Sequence, residues 1–237
     1  MTSFVLLSLL TLPAGTPSDS APGAVRFSIA VPGCKTSSAA KMPYQPQPGD
    51  IILFRSSNFV SNVLCNVVLC GGATHSAMIV PCKDGTLALL ETPKVGSAVS
   101  LSDIETQLQK YKGKIWVRRR CKPLTPEQSQ NLTSFACSQA GKSYDFVGLL
   151  VMPACRPMQL ISKTTPHADD VDENRWFCSS LVVAACVAAN LIDPREARPC
   201  CICPNDLMND KLIDLSCGWD KPTTLFIDSC DCKASAD

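Results

Sequence analysis

Residues 181–189 form a nine-residue run without a charge, a glycine or a proline, and this run constrains the fold most. It ends at Asn190, with Asp193-Pro194 just beyond, and so reads as a buried helix. A fully apolar helix needs apolar elements around it. With 46% hydrophobic and 18% charged residues, the 237-residue chain has the composition of a globular protein with a sizeable core. Its length suits one domain with extensions or two small domains.

The segment entering that helix is Arg175-Trp176-Phe177-Cys178-Ser179-Ser180. A cysteine in a first helical turn feels the positive end of the helix dipole, which favours the thiolate. A thiolate nucleophile also needs a base, and the chain has two histidines, His75 and His167. His75 follows Gly71-Gly72 and opens the apolar strand Ser76-Ala77-Met78-Ile79-Val80; Glu91 ends the next one. Cys178, His75 and Glu91 are thus candidates for nucleophile, base and orienting carboxylate. Each also has an ordinary reading: a small core hydrophobe among 15 cysteines, a polar strand end, and a solvated carboxylate before Thr92-Pro93. His167, in an acidic loop sequence, is the rival base.

Several elements are marked locally. Pro48-Gly49-Asp50 is a turn that launches a strand over 51–54. A helix is expected over 56–70, where Phe59, Val63, Val67 and Cys70 stand near helical spacing. Strands follow over 76–81 and 87–92, joined by Lys83-Asp84-Gly85. Their apolar residues fall on both faces, so the sheet should be covered on both sides. Ser102-Asp103-Ile104-Glu105 reads as a capping box. So does Thr125-Pro126-Glu127-Gln128, which opens a helix to about Ala140, closed by Gly141. A strand over 114–118 lies between the two.

The hairpin decides whether His75 and Glu91 can meet. A three-residue loop with Gly85 left-handed sets Cys82 opposite Thr86 and Ala77 opposite Glu91. Glu91 then shares a face with His75, one diagonal step away and within reach. A two-residue loop would turn Glu91 to the other face.

The formal net charge of +1 implies no strong pull toward nucleic acid or an anionic membrane. The run Arg118-Arg119-Arg120 reads as a solvated strand end. Residues 4–12 are apolar but too few to span a bilayer. They have the length of a signal-peptide core, without a preceding Lys or Arg or a clean cleavage site. Secreted and cytoplasmic locations both stay open. Residues 13–48 are rich in Pro, Ser, Ala and Gly and read as a loose arm. Cys200-Cys201-Ile202-Cys203 and Cys230-Asp231-Cys232 have no nearby histidine, and neither a metal nor a cofactor is expected. The division expected is 1–46 as apolar segment and arm, 47–210 as the functional domain, and 211–237 as a cysteine-containing extension that the site does not need. Both cysteine clusters are expected to stand apart from the site, as disulfides if the chain is secreted and as thiols if it is not.

Taken in order, Gly49-Asp50-Ile51-Ile52-Leu53-Phe54, His75-Ser76-Ala77-Met78-Ile79-Val80, Leu89-Leu90-Glu91-Thr92, Tyr144-Asp145 and Phe177-Cys178-Ser179-Ser180-Leu181-Val182 resemble the permuted papain-like hydrolases of the YiiX type, relatives of the NlpC-type peptidases. In that permuted order, shared with lecithin-retinol acyltransferases, the histidine strand precedes the cysteine helix. The resemblance spans roughly residues 47–207. It implies an α+β, circularly permuted papain-like fold, with an antiparallel sheet packed against helices including the one that bears the cysteine. It places the nucleophile on Cys178, the base on His75, the acidic partner on Glu91 and a pocket residue on Tyr144. Pro204-Asn205-Asp206-Leu207 resembles the family's closing element. Ser180 departs from the pattern, since many relatives carry Glu there.

The activity implied is thiol-dependent cleavage of amide bonds, in peptides or amidated small substrates, by a monomer. An esterase or acyltransferase acting on acyl lipids, with membrane contact, is the second reading. A binding protein that kept the fold without activity is the third.

Overall fold

The computed structural model describes residues 25–31, 40–57, 72–93, 97–161 and 174–228. The strands that read as apolar on both faces lie in the middle of its main sheet. These are β3 (Ile51–Ser56), β4 (His75–Pro81) and β5 (Leu87–Glu91), with β6 (Ser100–Ser102) at the edge. On the other side of β3 come β7 (Gly113–Arg118), β10 (Thr223–Asp228), β1 (Arg26–Ala30) and β2 (Lys41–Tyr44). The order is β2-β1-β10-β7-β3-β4-β5-β6, and neighbours pair antiparallel.

Strand alternation divides the side chains between two cores. Ile51, Leu53, Met78, Val80 and Leu90 face one cluster; Ile52, Phe54, Ala77, Ile79 and Leu89 face the other. Against the first face pack α2 (Pro126–Gln139) and α4 (Cys178–Ala188). Leu181, Val182, Val183 and Ala185 of α4 are fully buried there, as the charge-free run requires. α4 ends where Asn190 turns left-handed (φ 54°), a conformation asparagine tolerates better than most residues. The second core is covered by α1 (Ile104–Lys110) through Ile104 and Leu108. Phe27, Tyr44 and Leu225, from the far end of the sheet, join the same cluster, so the sheet curls around it. The remaining elements are α3 (Phe146–Ile161), α5 (Pro204–Asn209) and a short parallel ribbon of β8 (Ser143–Tyr144) with β9 (Arg175–Trp176). The architecture is α+β, with a large antiparallel sheet and several helices. Among the described residues no helix is long and apolar enough to cross a membrane.

The Thr125 capping box is present: Thr125 Oγ1 accepts from Gln128 N at 3.1 Å, and Thr125 N donates to Gln128 Oε1 at 3.0 Å. At α1 the cap lies one residue later than expected. Asp103, not Ser102, accepts from Thr106 N at 2.8 Å, because a carboxylate is the stronger acceptor for an orphan N–H.

Three larger expectations are corrected. The loose arm over 13–48 contains β1 and β2, whose Phe27, Ile29 and Tyr44 are buried. That pattern is short and sits among Pro and Ser, which hid it. The described part of the extension, residues 211–228, is no appendage. Ile213, Leu215 and Trp219 belong to the first core, and β10 fills the gap between β1 and β7. The arginine run is not a solvated end either. Arg118 is fully buried and donates to the Asp210 carboxylate and to the carbonyls of Leu207 and Asp220. Arg119 donates to Asp220, and the Arg120 guanidinium lies over the Trp219 ring at 4.5 Å. The three arginines clasp the C-terminal segment to the sheet. The helix expected over 56–70 falls almost wholly outside the described residues, as do residues 4–12, His167, Cys230 and Cys232.

Candidate active site

Cys178 is the first residue of α4, so its N–H points out of the helix end with no intrahelical acceptor. Three side chains hold this turn in place. Ser180 Oγ accepts from Phe177 N at 3.1 Å and donates to Phe177 O at 2.8 Å. Ser179 Oγ donates to Ile202 O at 2.7 Å. The Phe177 ring is buried with Met152 and Cys203. The reach-back from Ser180 to Phe177 N is the bond a glutamate would make at the same position of a capping box. Ser180 therefore supplies the reach-back half of a capping box.

His75 opens β4, with its ring against Phe54 at 5.2 Å between centroids; Phe54 in turn meets Tyr111 at 4.7 Å. The hairpin takes the longer loop. Cys82 N donates to Thr86 O at 2.8 Å, Gly85 adopts φ 83°, and Met78 lies opposite Leu90. Glu91 thereby falls on the His75 face, and its Oε2 stands 3.1 Å from His75 Nε2. Its other oxygen, Oε1, accepts from Gln107 Nε2 at 2.7 Å. With Nε2 engaged by Glu91, Nδ1 is the ring nitrogen left for Cys178, whose thiol hydrogen-bonds His75. Side-chain exposure is 19% for His75 and 3% for Glu91, and Cys178 is 5% exposed, so the three stand in one nearly dry line.

The electrostatics favour an ion pair. Burial alone would lower His75, but the bonds and charges of Cys178 and Glu91 outweigh it and raise the imidazole to about 9. Burial alone would raise Cys178; the His75 bond and charge, with help from Ser76, turn the shift downward. Ser76 contributes both its N–H and its hydroxyl. That hydroxyl is buried and has no partner within ordinary hydrogen-bond geometry among the described residues. Cys186, just over two turns along the same helix, shows the contrast: only the Arg120 charge works against burial there, and burial pushes it up to about 12.

Tyr144 pairs with Trp176 in the β8–β9 ribbon and packs beside the Phe177, Met152 and Cys203 cluster. It thus sits beside Phe177, the residue that precedes Cys178. The Cys200–Cys203 segment, which the sequence reads as no part of the site, packs against the helix that carries Cys178. Its 3-10 turn packs on α4, Ile202 holds Ser179, and Cys203 touches the Phe177 cluster. Sequence reading missed two residues, Ser76 and Gln107. Ser76 adjoins the histidine. Gln107 flanks Leu108, whose spacing from Ile104 marks the inward face of α1. A groove of about 910 Å³ runs between β1–β2 and the start of α1, lined by residues such as Phe27, Lys41, Tyr44 and Glu105. It includes none of Cys178, His75, Glu91 or Tyr144.

No protein-family model matches the chain, and no curated protein matches it. Among solved structures the chain is similar to the metalloprotein YiiX from Escherichia coli O157:H7, with a TM-score of 0.44 and 19% identity, over 78% of this chain and 98% of that one. Among the described residues here, no group of three or more His, Cys, Asp or Glu is placed to hold a metal ion. His75 Nε2 is already engaged by Glu91 Oε2.

Proposed function

We propose that this chain is a thiol hydrolase of the circularly permuted papain-like, NlpC-related type, cleaving amide bonds in peptides or amidated small substrates. The observation that carries the reading is the line Cys178–His75–Glu91, with the thiol lowered and the imidazole raised. The order of elements agrees, since the histidine strand β4 precedes the cysteine helix α4.

In the first half-reaction the Cys178 thiolate attacks the substrate carbonyl carbon and a C–S bond forms. The negative oxygen that results is stabilised by the outward N–H of Cys178 at the helix end. Collapse breaks the C–N bond, and the leaving amine takes the proton from the His75 imidazolium. In the second half-reaction neutral His75 takes a proton from water, which attacks the thioester. The carboxylic acid leaves and the thiolate–imidazolium pair returns. Glu91 holds the ring orientation and favours its charged form throughout. No step is routed through a metal.

One observation favours acyl lipids as the substrate class. α3 begins two residues after Tyr144 and exposes Phe146, Val147, Leu150 and Val151, about half of each side chain open to solvent. Such an apolar face suits an acyl chain or a membrane surface.

The test is labelling with an iodoacetamide probe at neutral pH, followed by peptide mapping across the 15 cysteines. Preferential labelling of Cys178 that vanishes in His75→Ala supports the thiol-hydrolase reading. Labelling spread evenly, and only after unfolding, refutes it and leaves a binding protein. Parallel assays on peptide amides and acyl esters then separate the two substrate classes.

A further inference from the structure

Glu91 is buried, and each of its two oxygens has one partner: Oε2 meets His75 and Oε1 meets Gln107. A carboxylate held at one oxygen can swing about its terminal torsion. Held at both, it has a fixed plane. A carboxylate is acceptor-only, so the Gln107 amide must present its N–H₂ to Oε1, which reserves Oε2 for the ring.

Gln107 is itself held from behind. Asp103 caps α1, and Gln107 N donates to Asp103 O at 3.0 Å. Ile104 and Leu108 anchor the helix in the second core on either side of it. Its amide is therefore delivered to Glu91 by a separate helix, one that packs against β5 through the second core.

We infer that Gln107 is a positioning residue of the site: by fixing the Glu91 carboxylate from α1, it keeps Oε2 on His75 Nε2 and so keeps the imidazole aimed at Cys178. The inference rests on the reading of Cys178, His75 and Glu91 as a catalytic line. It adds a fourth member, contributed by a separate element, and makes the docking of α1 a condition of activity. Among the described residues, the titratable groups facing His75 are Cys178 from α4 and Glu91 from β5, while β3 offers the uncharged Phe54 ring. Gln107 thus acts on His75 through Glu91.

The chain has two histidines, so an NMR titration of the imidazole carbons, assigned with His167→Asn, follows His75 directly in the full-length protein. The variant is Gln107→Met, which keeps length and packing and loses the donor. The wild type should titrate near 9. In Gln107→Met the midpoint should fall by about half a pH unit or more, because a carboxylate free to turn stabilises the imidazolium less. In a Glu91→Gln background the same change should add no further shift, since the coupling runs through Glu91. That second comparison reads the coupling between variants that share whatever packing cost Gln107→Met brings. A midpoint unchanged by Gln107→Met, or an equal shift with and without Glu91, overturns the inference. If the wild-type His75 titrates in the ordinary histidine range and Cys178 does not label selectively, the hydrolase reading has failed as well. A high wild-type midpoint with selective Cys178 labelling, but no response to Gln107→Met, removes the Gln107 role alone.

Discussion

Glu91 reaches His75 across one diagonal step of the β4–β5 ladder, Oε2 to Nε2 at 3.1 Å, because Gly85 takes a left-handed turn 6 residues before it. A one-residue change in that loop would send Glu91 to the opposite face. Deleting Asp84 should therefore uncouple Glu91 from His75 at long range. The expected outcome is a His75 midpoint well below about 9 in the same NMR titration, in a protein that remains folded. An unchanged midpoint would show that the register survives a shorter loop.

Cys178→Ala and His75→Ala should each lower hydrolysis by on the order of 10³-fold or more. The double variant should lose no more than the worse single one, because thiolate and imidazole act as a unit. Glu91→Gln should cost less, since Glu91 orients and does not react. Steady-state rates on the best amide substrate check the ranking. Wild-type turnover in Cys178→Ala would reject Cys178 as nucleophile.

The pH dependence follows from the signs of the two shifts. His75 is raised from 6.5 to about 9, so its contribution to stability is complete below 6.5 and is lost as pH climbs through about 9. Cys178 is lowered from 9.0, so its contribution is present above 9.0 and is lost as pH falls through its depressed value. The charged pair fills the window between the lowered thiol and the raised imidazole. Hydrolysis should decline above about pH 9 with the loss of the acid that protonates the leaving group. A kcat/KM profile checks this; a plateau continuing beyond pH 10 would contradict it.

The line Cys178–His75–Glu91 was legible in the sequence because each signal is local. A charge-free helix places the cysteine at its start, a Gly-Gly breaks into the histidine strand, and a glycine-closed hairpin sets the register. What stayed hidden is non-local. Arg118 reads as one of three surface arginines until its partner Asp210, 92 positions away, folds back on it. β1 and β2 are short, and they become strands because β10 offers an edge to β1 and β1 offers one to β2. Gln107 looks like any polar helical residue until Ile104 and Leu108 seat α1 against β5. The tail after Asp210 was set aside for its cysteines, while its structural content lies in Ile213, Leu215, Trp219 and Leu225.

Asp210→Ala should leave the Arg118 guanidinium buried with only carbonyl acceptors among its described partners. Breaking one side of a buried pair costs about 3–5 kcal/mol, and Asp210, at 24% side-chain exposure, belongs at the low end. Urea denaturation should show a loss of about 3 kcal/mol, while Arg118→Met with Asp210→Ala should recover part of it. A loss below about 1 kcal/mol would mean that water reaches Arg118 easily.

Ending the chain at Asp210 should abolish folding. The cut removes Ile213, Leu215 and Trp219 from the first core, and it removes β10, the strand that joins β1 to β7. Loss of a single large buried side chain costs about 2–5 kcal/mol. A domain of this size has about 5–15 kcal/mol in all. Removing three such residues together with an interior strand therefore exceeds what the fold can lose. Circular dichroism and a thermal melt should show no cooperative transition, and selective labelling of Cys178 should disappear with it. Ending the chain after Asp228 instead keeps β10 and every one of these side chains. It should leave both the melt and the labelling as in the full chain. A cooperative melt in the shorter protein would mean that the sheet closes without β10 and that the C-terminal clasp is dispensable.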